Sequence, residues 1–192
     1  MRLERLGRLL GQVPRSPALA HSALLVPVPE AEPLLGSLRG ASAGGPGLPP
    51  HVTIVYPFLP AVALDEAVTT ELSRIVAGHR AFEFSLTGLG TFPGVVWLRP
   101  EPDQPFVALG DSVLARWPTL SRYEGRYAEV VPHLTVGRGR LRRSWRSRIE
   151  TAVPIAARAR AVLLMAEDPG GRWEVRGRFP LGPPVEDRPQ GG

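Results

Sequence analysis

Two short stretches carry the residues most suited to chemistry. Pro50-His51-Val52-Thr53-Ile54-Val55-Tyr56 and Pro132-His133-Leu134-Thr135-Val136-Gly137-Arg138 share the pattern Pro-His-apolar-Thr-apolar. Residues two apart on a β-strand point to the same face. Each copy therefore presents an imidazole beside a hydroxyl and turns its apolar residues into a core. Two such strands brought together make a pocket with two imidazoles and two hydroxyl donors. That set suits a phosphate group, because hydroxyls donate to its oxygens while one histidine takes a proton and the other gives one. A single His-x-Thr carries little information, whereas two in-phase copies in a chain of only four histidines carry a great deal. His21 and His79 lack this context and read as structural or surface residues.

The elements that must position these strands follow from periodicity. Leu3, Leu6, Leu9, Leu10 and Val13 share one helical face, which predicts a short amphipathic helix over residues 2–13. Ala20 to Val28 reads as a first strand, followed by a short helix around Glu30 to Arg39. The stretch from Gly40 to Pro50 (GASAGGPGLPP) reads as a flexible rim immediately before the first histidine. A stripe of Leu64, Val68, Leu72, Ile75 and Val76 predicts a helix with Asp65 as its cap and Gly78 as its stop. Phe82, Phe84 and Leu86 alternate with polar residues, and Pro93-Gly94 turns the chain into a second strand from Val95 to Arg99. Phe106 to Trp117 forms the next helical stripe. Beyond the second motif come a helix from about Arg142 to Ala152 and a strand over residues 155–166. A turn at Asp168-Pro169-Gly170-Gly171 leads to a closing strand from Trp173 to Phe179.

Each motif strand is followed by a helix and then a hairpin. The expected fold class is α+β: a two-lobed duplicated fold, with antiparallel sheets facing each other across a central cleft and helices outside. The expected organisation is an N-terminal extension over residues 1–18, a two-lobed domain over 19–182 and a disordered tail over 183–192.

The paired motifs resemble those of the 2H phosphoesterase superfamily, and within it the group named for 2′-5′ RNA ligase and cyclic nucleotide phosphodiesterase activity. The resemblance covers roughly residues 19–182; Tyr56-Pro57-Phe58 resembles one bacterial subgroup, and Arg138 matches the arginine that often follows the second motif. It implies hydrolysis of a 2′,3′-cyclic phosphate or a 2′-5′ linked substrate, or the reverse ligation of a 5′-hydroxyl to a cyclic phosphate. In that chemistry His51 and His133 form the acid–base pair, Thr53 and Thr135 donate to the non-bridging oxygens, and Arg138 binds substrate phosphate. No metal, ATP or other cofactor is required. Tyr56, Phe58, Tyr123 and Tyr127 are candidates for stacking a base.

Composition sets the remaining bounds. The 192 residues are 43% hydrophobic, enough for one domain or two small intimate lobes. The absence of cysteine excludes disulfides and thiolate metal sites. No apolar run reaches membrane-spanning length and the N-terminus has no secretory pattern, so a cytoplasmic monomer with no membrane partner is expected. The net charge is +5, the pI about 10.8, and every one of the 23 basic residues is arginine. Genome composition explains most of that bias, yet arginine forks also suit RNA or a small cyclic nucleotide as partner. A two-histidine metal site is the chemical rival, disfavoured because neither motif supplies a further ligand. A non-catalytic RNA or nucleotide binding protein of the same fold is the rival from another class; loss of either motif histidine would have favoured it, and both are present.

Overall fold

The computed structural model describes residues 20–38, 45–120, 131–139 and 141–183. The predicted helix over residues 2–13, part of the glycine-rich rim, Tyr123, Tyr127 and the C-terminal tail lie outside the described residues. Among the described residues eight strands form one antiparallel sheet: β1 (Ser22–Pro27), β2 (His51–Val55), β3 (Phe82–Phe92), β4 (Val95–Glu101), β5 (Leu134–Arg138), β6 (Ile155–Ala159), β7 (Ala161–Glu167) and β8 (Trp173–Pro180). Their order is β6-β3-β4-β5-β2-β1-β7-β8, a curled half-barrel. The mixed α+β, two-lobed class expected from the duplication is what the chain adopts. Each half holds four strands, and the motif strands β2 and β5 are the innermost of each, meeting at Val52 opposite Leu134.

The duplication is exchanged as well as repeated. β3, which follows the first motif, lies in the second half against β4; β7, which follows the second motif, lies in the first half against β1. Neither half is thus built from one continuous stretch of sequence. This exchange corrects one sequence expectation. The single strand predicted over residues 155–166 is divided at Arg160 into β6 and β7, which belong to different halves. Hydropathy could not reveal the division, since apolar residues run through both pieces.

Among the described residues four α-helices complete the fold: α1 (Glu32–Ser37), α2 (Glu66–Ala77), α3 (Gln104–Arg116) and α4 (Arg143–Ala152). The first is shorter than predicted, because Pro29–Ala31 forms a 3-10 turn ahead of it. The others match their stripes. Asp65 accepts from the Val68 N–H at 2.9 Å, satisfying one of the donors a helix start leaves open. His79, at the end of α2, sits 2.9 Å from the Ser112 hydroxyl on α3, which agrees with its structural reading.

The sheet separates two apolar regions. One face buries Leu24, Val26, Val52, Ile54, Leu98, Leu134 and Val136 with the helical stripes of α2 and α3 in one large core. Leu25 lies opposite Thr53 and Leu163 opposite Leu25, which places both on the face of the motif hydroxyls. There they form a smaller cluster with Ala23, Met165 and Trp173. Burial within the motif strands alternates accordingly: Val52, Ile54, Leu134 and Val136 are buried, while His51, Thr53, His133 and Thr135 are half-buried.

Candidate active site

The four motif side chains form one block rather than two separate pairs. Val52 opposite Leu134 in an antiparallel pair sets His51 opposite Thr135 and Thr53 opposite His133. Directly opposed side chains have Cβ atoms about 4.5–5.5 Å apart. Each imidazole thus neighbours the hydroxyl of the other motif, and the two histidines lie on a diagonal. A cleft lined by both His51 and Thr135, and by Leu48, Pro49 and Pro50 from the rim, opens above the block.

Both imidazoles are held in the same way. His51 Nδ1 lies 2.7 Å from the Pro49 carbonyl, and His133 Nδ1 lies 2.7 Å from the Val131 carbonyl. A carbonyl oxygen only accepts, so each Nδ1 carries the hydrogen and donates it. Nε2 is left with a lone pair in the neutral ring and a proton in the imidazolium. The accepting carbonyl is two residues upstream in each copy, and the residue between is proline (Pro50, Pro132). Proline fixes its own φ and biases the preceding residue toward extended backbone. The shared Pro-His dipeptide is therefore a bracket that orients the ring. The repeated proline was visible in the sequence; its purpose was not.

Electrostatics distinguish the two rings. Burial pushes the His51 pKa below its ordinary 6.5, the Pro49 hydrogen bond opposes that, and the field of His133 lowers it further. Burial also lowers the His133 pKa, with the Val131 hydrogen bond opposing. Both rings thus favour the neutral form, and the repulsion makes double protonation unfavourable.

The walls differ too. His133 is contacted by Phe92, with centroids 5.1 Å apart, and by Trp97 at 5.9 Å; these two rings stack on each other at 5.0 Å. Trp97 lies opposite Thr135 on β5 and also opposite Gly90 on β3, where an added Cβ would come within 2.2 Å of the indole. The bare glycine makes room for the tryptophan. These two aromatic residues were missed by sequence reasoning, which looked for stacking residues elsewhere, chiefly among the tyrosines. Strand alternation that sets Trp97 apart from the core residue Leu98 was the available signal. Of the predicted stackers, Phe58 is buried in the large core and Tyr56 packs with Trp173 at 6.2 Å and His21 at 5.9 Å.

Arg138 ends β5 with an exposed side chain, paired in register with Val95. It lies three positions beyond Thr135, about 10 Å along a strand. It does not line the cleft above His51. Among the described residues no group of three or more His, Cys, Asp or Glu side chains is arranged to hold a metal ion, and no helix is long and apolar enough to cross a membrane.

Each of the two innermost strands of this curled antiparallel sheet carries a threonine, with a histidine two residues before it. The chain belongs to the 2′-5′ RNA ligase superfamily, whose family model matches residues 27–171. Among solved structures it resembles E. coli LigT complexed with 3′-AMP, at 14% identity and a TM-score of 0.54, covering 85% of this chain and 98% of that one. LigT in apo form matches at 16% identity and a TM-score of 0.55, with the same coverage. TT0787 of Thermus thermophilus matches at 19% identity and a TM-score of 0.59, again covering 85% and 98%. LigT has also been crystallised with ATP and with NADP+. No curated protein matches the sequence. Family and fold together support a 2H phosphoesterase or 2′-5′ RNA ligase-like function.

Proposed function

We propose that the protein is a metal-independent phosphoesterase that opens 2′,3′-cyclic phosphates or cleaves 2′-5′ linked nucleotides or RNA. The observation that carries this reading is the matched pair of imidazoles, each donating Nδ1–H to a backbone carbonyl and each beside the other motif's threonine. In hydrolysis one neutral Nε2 takes a proton from water as the oxygen attacks phosphorus. The second ring, protonated at Nε2, gives its proton to the departing ribose oxygen, and the net change is addition of one water. Thr53 and Thr135 donate to the non-bridging oxygens as charge builds there. In reverse, the same groups join a 5′-hydroxyl to the cyclic phosphate. Arg138, at the end of the second motif strand, is suited to a more distant phosphate of a longer substrate.

Incubation of the pure protein with 2′,3′-cyclic nucleotides and cyclic-ended RNA, in excess chelator, is expected to yield 2′-phosphate products. Activity that disappears with chelator and returns with zinc would overturn the metal-independent mechanism. Salt-sensitive RNA binding without product from any cyclic phosphate or 2′-5′ linked compound would overturn the enzymatic reading itself.

A further inference from the structure

The carbonyl that holds His51 belongs to the rim, residues 45–50, a stretch with few bonds of its own to fix it. Gly45-Pro46-Gly47-Leu48-Pro49-Pro50 has two glycines, and its three prolines carry no N–H to bond elsewhere. Among the described residues, two backbone hydrogen bonds tie this stretch to the body. At one end the Val28 N–H donates to the Pro50 carbonyl at 2.8 Å; at the other the Trp173 N–H donates to the Pro46 carbonyl at 2.8 Å. Between them a turn closes where the Leu48 N–H donates to the Gly45 carbonyl at 3.2 Å.

Trp173 opens β8, three strand spacings across the sheet from β2, roughly 14 Å. The rim bridges that span and fits closely on the tryptophan. A Cβ on Gly45 would come within 2.9 Å of the indole, and one on Gly47, at φ +92°, within 2.2 Å of the Trp173 carbonyl oxygen. Only glycine lets the chain lie against Trp173 at both points. The indole is buried in the small apolar cluster of the sheet, and Leu48 packs against the same cluster. It also meets Tyr56, just past the end of β2, with centroids 6.2 Å apart. Trp173 thus contacts the chain both before and after the first motif strand.

From the seated turn the path to the ring is short. Pro49 fixes its own φ, Pro50 biases it toward extended backbone, and its carbonyl accepts from His51 Nδ1 at 2.7 Å. Holding Nδ1–H selects the tautomer and makes Nε2 the reacting nitrogen. We propose that Trp173 is a positioning residue for His51: by seating the rim turn it holds the Pro49 carbonyl, and through it the tautomer and orientation of the ring. His133 takes its bracket from Val131 and does not depend on this contact. The consequence for turnover rests on the proposed phosphoesterase reading; the mechanical link to His51 does not.

Proton–nitrogen NMR of the two imidazoles, recorded well above pH 6.5 where both are neutral, reads the link directly. Wild type should show both rings as the Nδ1–H tautomer. Trp173→Ala and Gly47→Ala should each move His51 toward a mixture of the two tautomers and leave His133 unchanged. Trp173→Phe, which keeps an aromatic ring against the turn, should restore the wild-type signature. Gly47→Ala leaves every core side chain in place, so it decides the matter if Trp173→Ala fails to fold. On adenosine 2′,3′-cyclic phosphate the two disruptive variants should lose about 10–100-fold in kcat with little change in KM, since a misplaced acid or base still permits binding. Folded variants that keep His51 as Nδ1–H, or that disturb His133 equally, overturn the proposal. So does a tautomer change that leaves kcat at the wild-type value. If wild type turns over no cyclic phosphate or 2′-5′ linked compound while the variants still shift His51 alone, the phosphoesterase reading falls and the positioning of His51 stands.

Discussion

The two halves of the candidate site carry the same residues in the same bracket and open onto different walls. His51 and His133 each donate Nδ1–H to a carbonyl two residues upstream. Around His133 the wall is aromatic, made by Phe92 and Trp97; around His51 it is proline-lined and leads past Glu32 toward Arg158, Arg160 and Arg178. The bracket thus fixes both rings alike, while the side chains around them differ.

The largest expected effect tests whether the halves act as one. His51→Ala and His133→Ala should each lower kcat/KM by about 10²–10⁴-fold, as loss of an acid or base does. The double variant should cost little more, because groups that work as a unit are strongly non-additive. Circular dichroism matching wild type must accompany each rate. A folded His51→Ala variant of near-normal activity would sink the two-histidine mechanism.

Next in size are the hydroxyls. Thr53→Val or Thr135→Val keeps the acid–base pair and deletes one transition-state donor, at roughly 1–4 kcal/mol. Similar losses in kcat for the two would fit a phosphate shared between the motifs. A loss confined to one of them would mean that only one hydroxyl reaches the phosphoryl oxygens.

A smaller effect separates the walls. Trp97→Leu should loosen His133 and expose it, raising its pKa toward 6.5, with a loss in kcat of about tenfold or less. An NMR titration should show His51 shifting much less, since its bracket and proline wall are untouched. Equal shifts in both rings would break the distinction between the halves.

The smallest expected effects are those of pH. Both histidines have folded-state pKa values below the ordinary 6.5, so the native chain binds protons less readily than the unfolded one. Their contribution to stability is therefore present above pH 6.5 and lost as pH falls through the folded values. Thermal melts should show Tm falling on acidification below 6.5, with a shallower fall in a His51→Gln/His133→Gln variant. For the same reason the bell-shaped kcat/KM profile should be centred on the acid side of 6.5, where one ring of the pair is protonated.

Much of this protein was legible in its residues. The repeated Pro-His-x-Thr fixed the motif strands, because alternation leaves an imidazole and a hydroxyl no choice but to share a face. The stripe from Val68 to Val76, with Asp65 before it, determined α2, since spacing and capping are local properties. Tertiary structure alone decided the pairing of His51 with Thr135 and Thr53 with His133, which depends on register between strands some eighty residues apart. It also decided the break at Arg160 and the exchange of β3 and β7 between halves. Hydropathy reports that a strand is buried, not which neighbour buries it. Likewise the wall of Trp97 over Gly90 and the convergence of Arg158 and Arg178 on one cleft arise from strands brought together by the fold, where no local spacing records the arrangement.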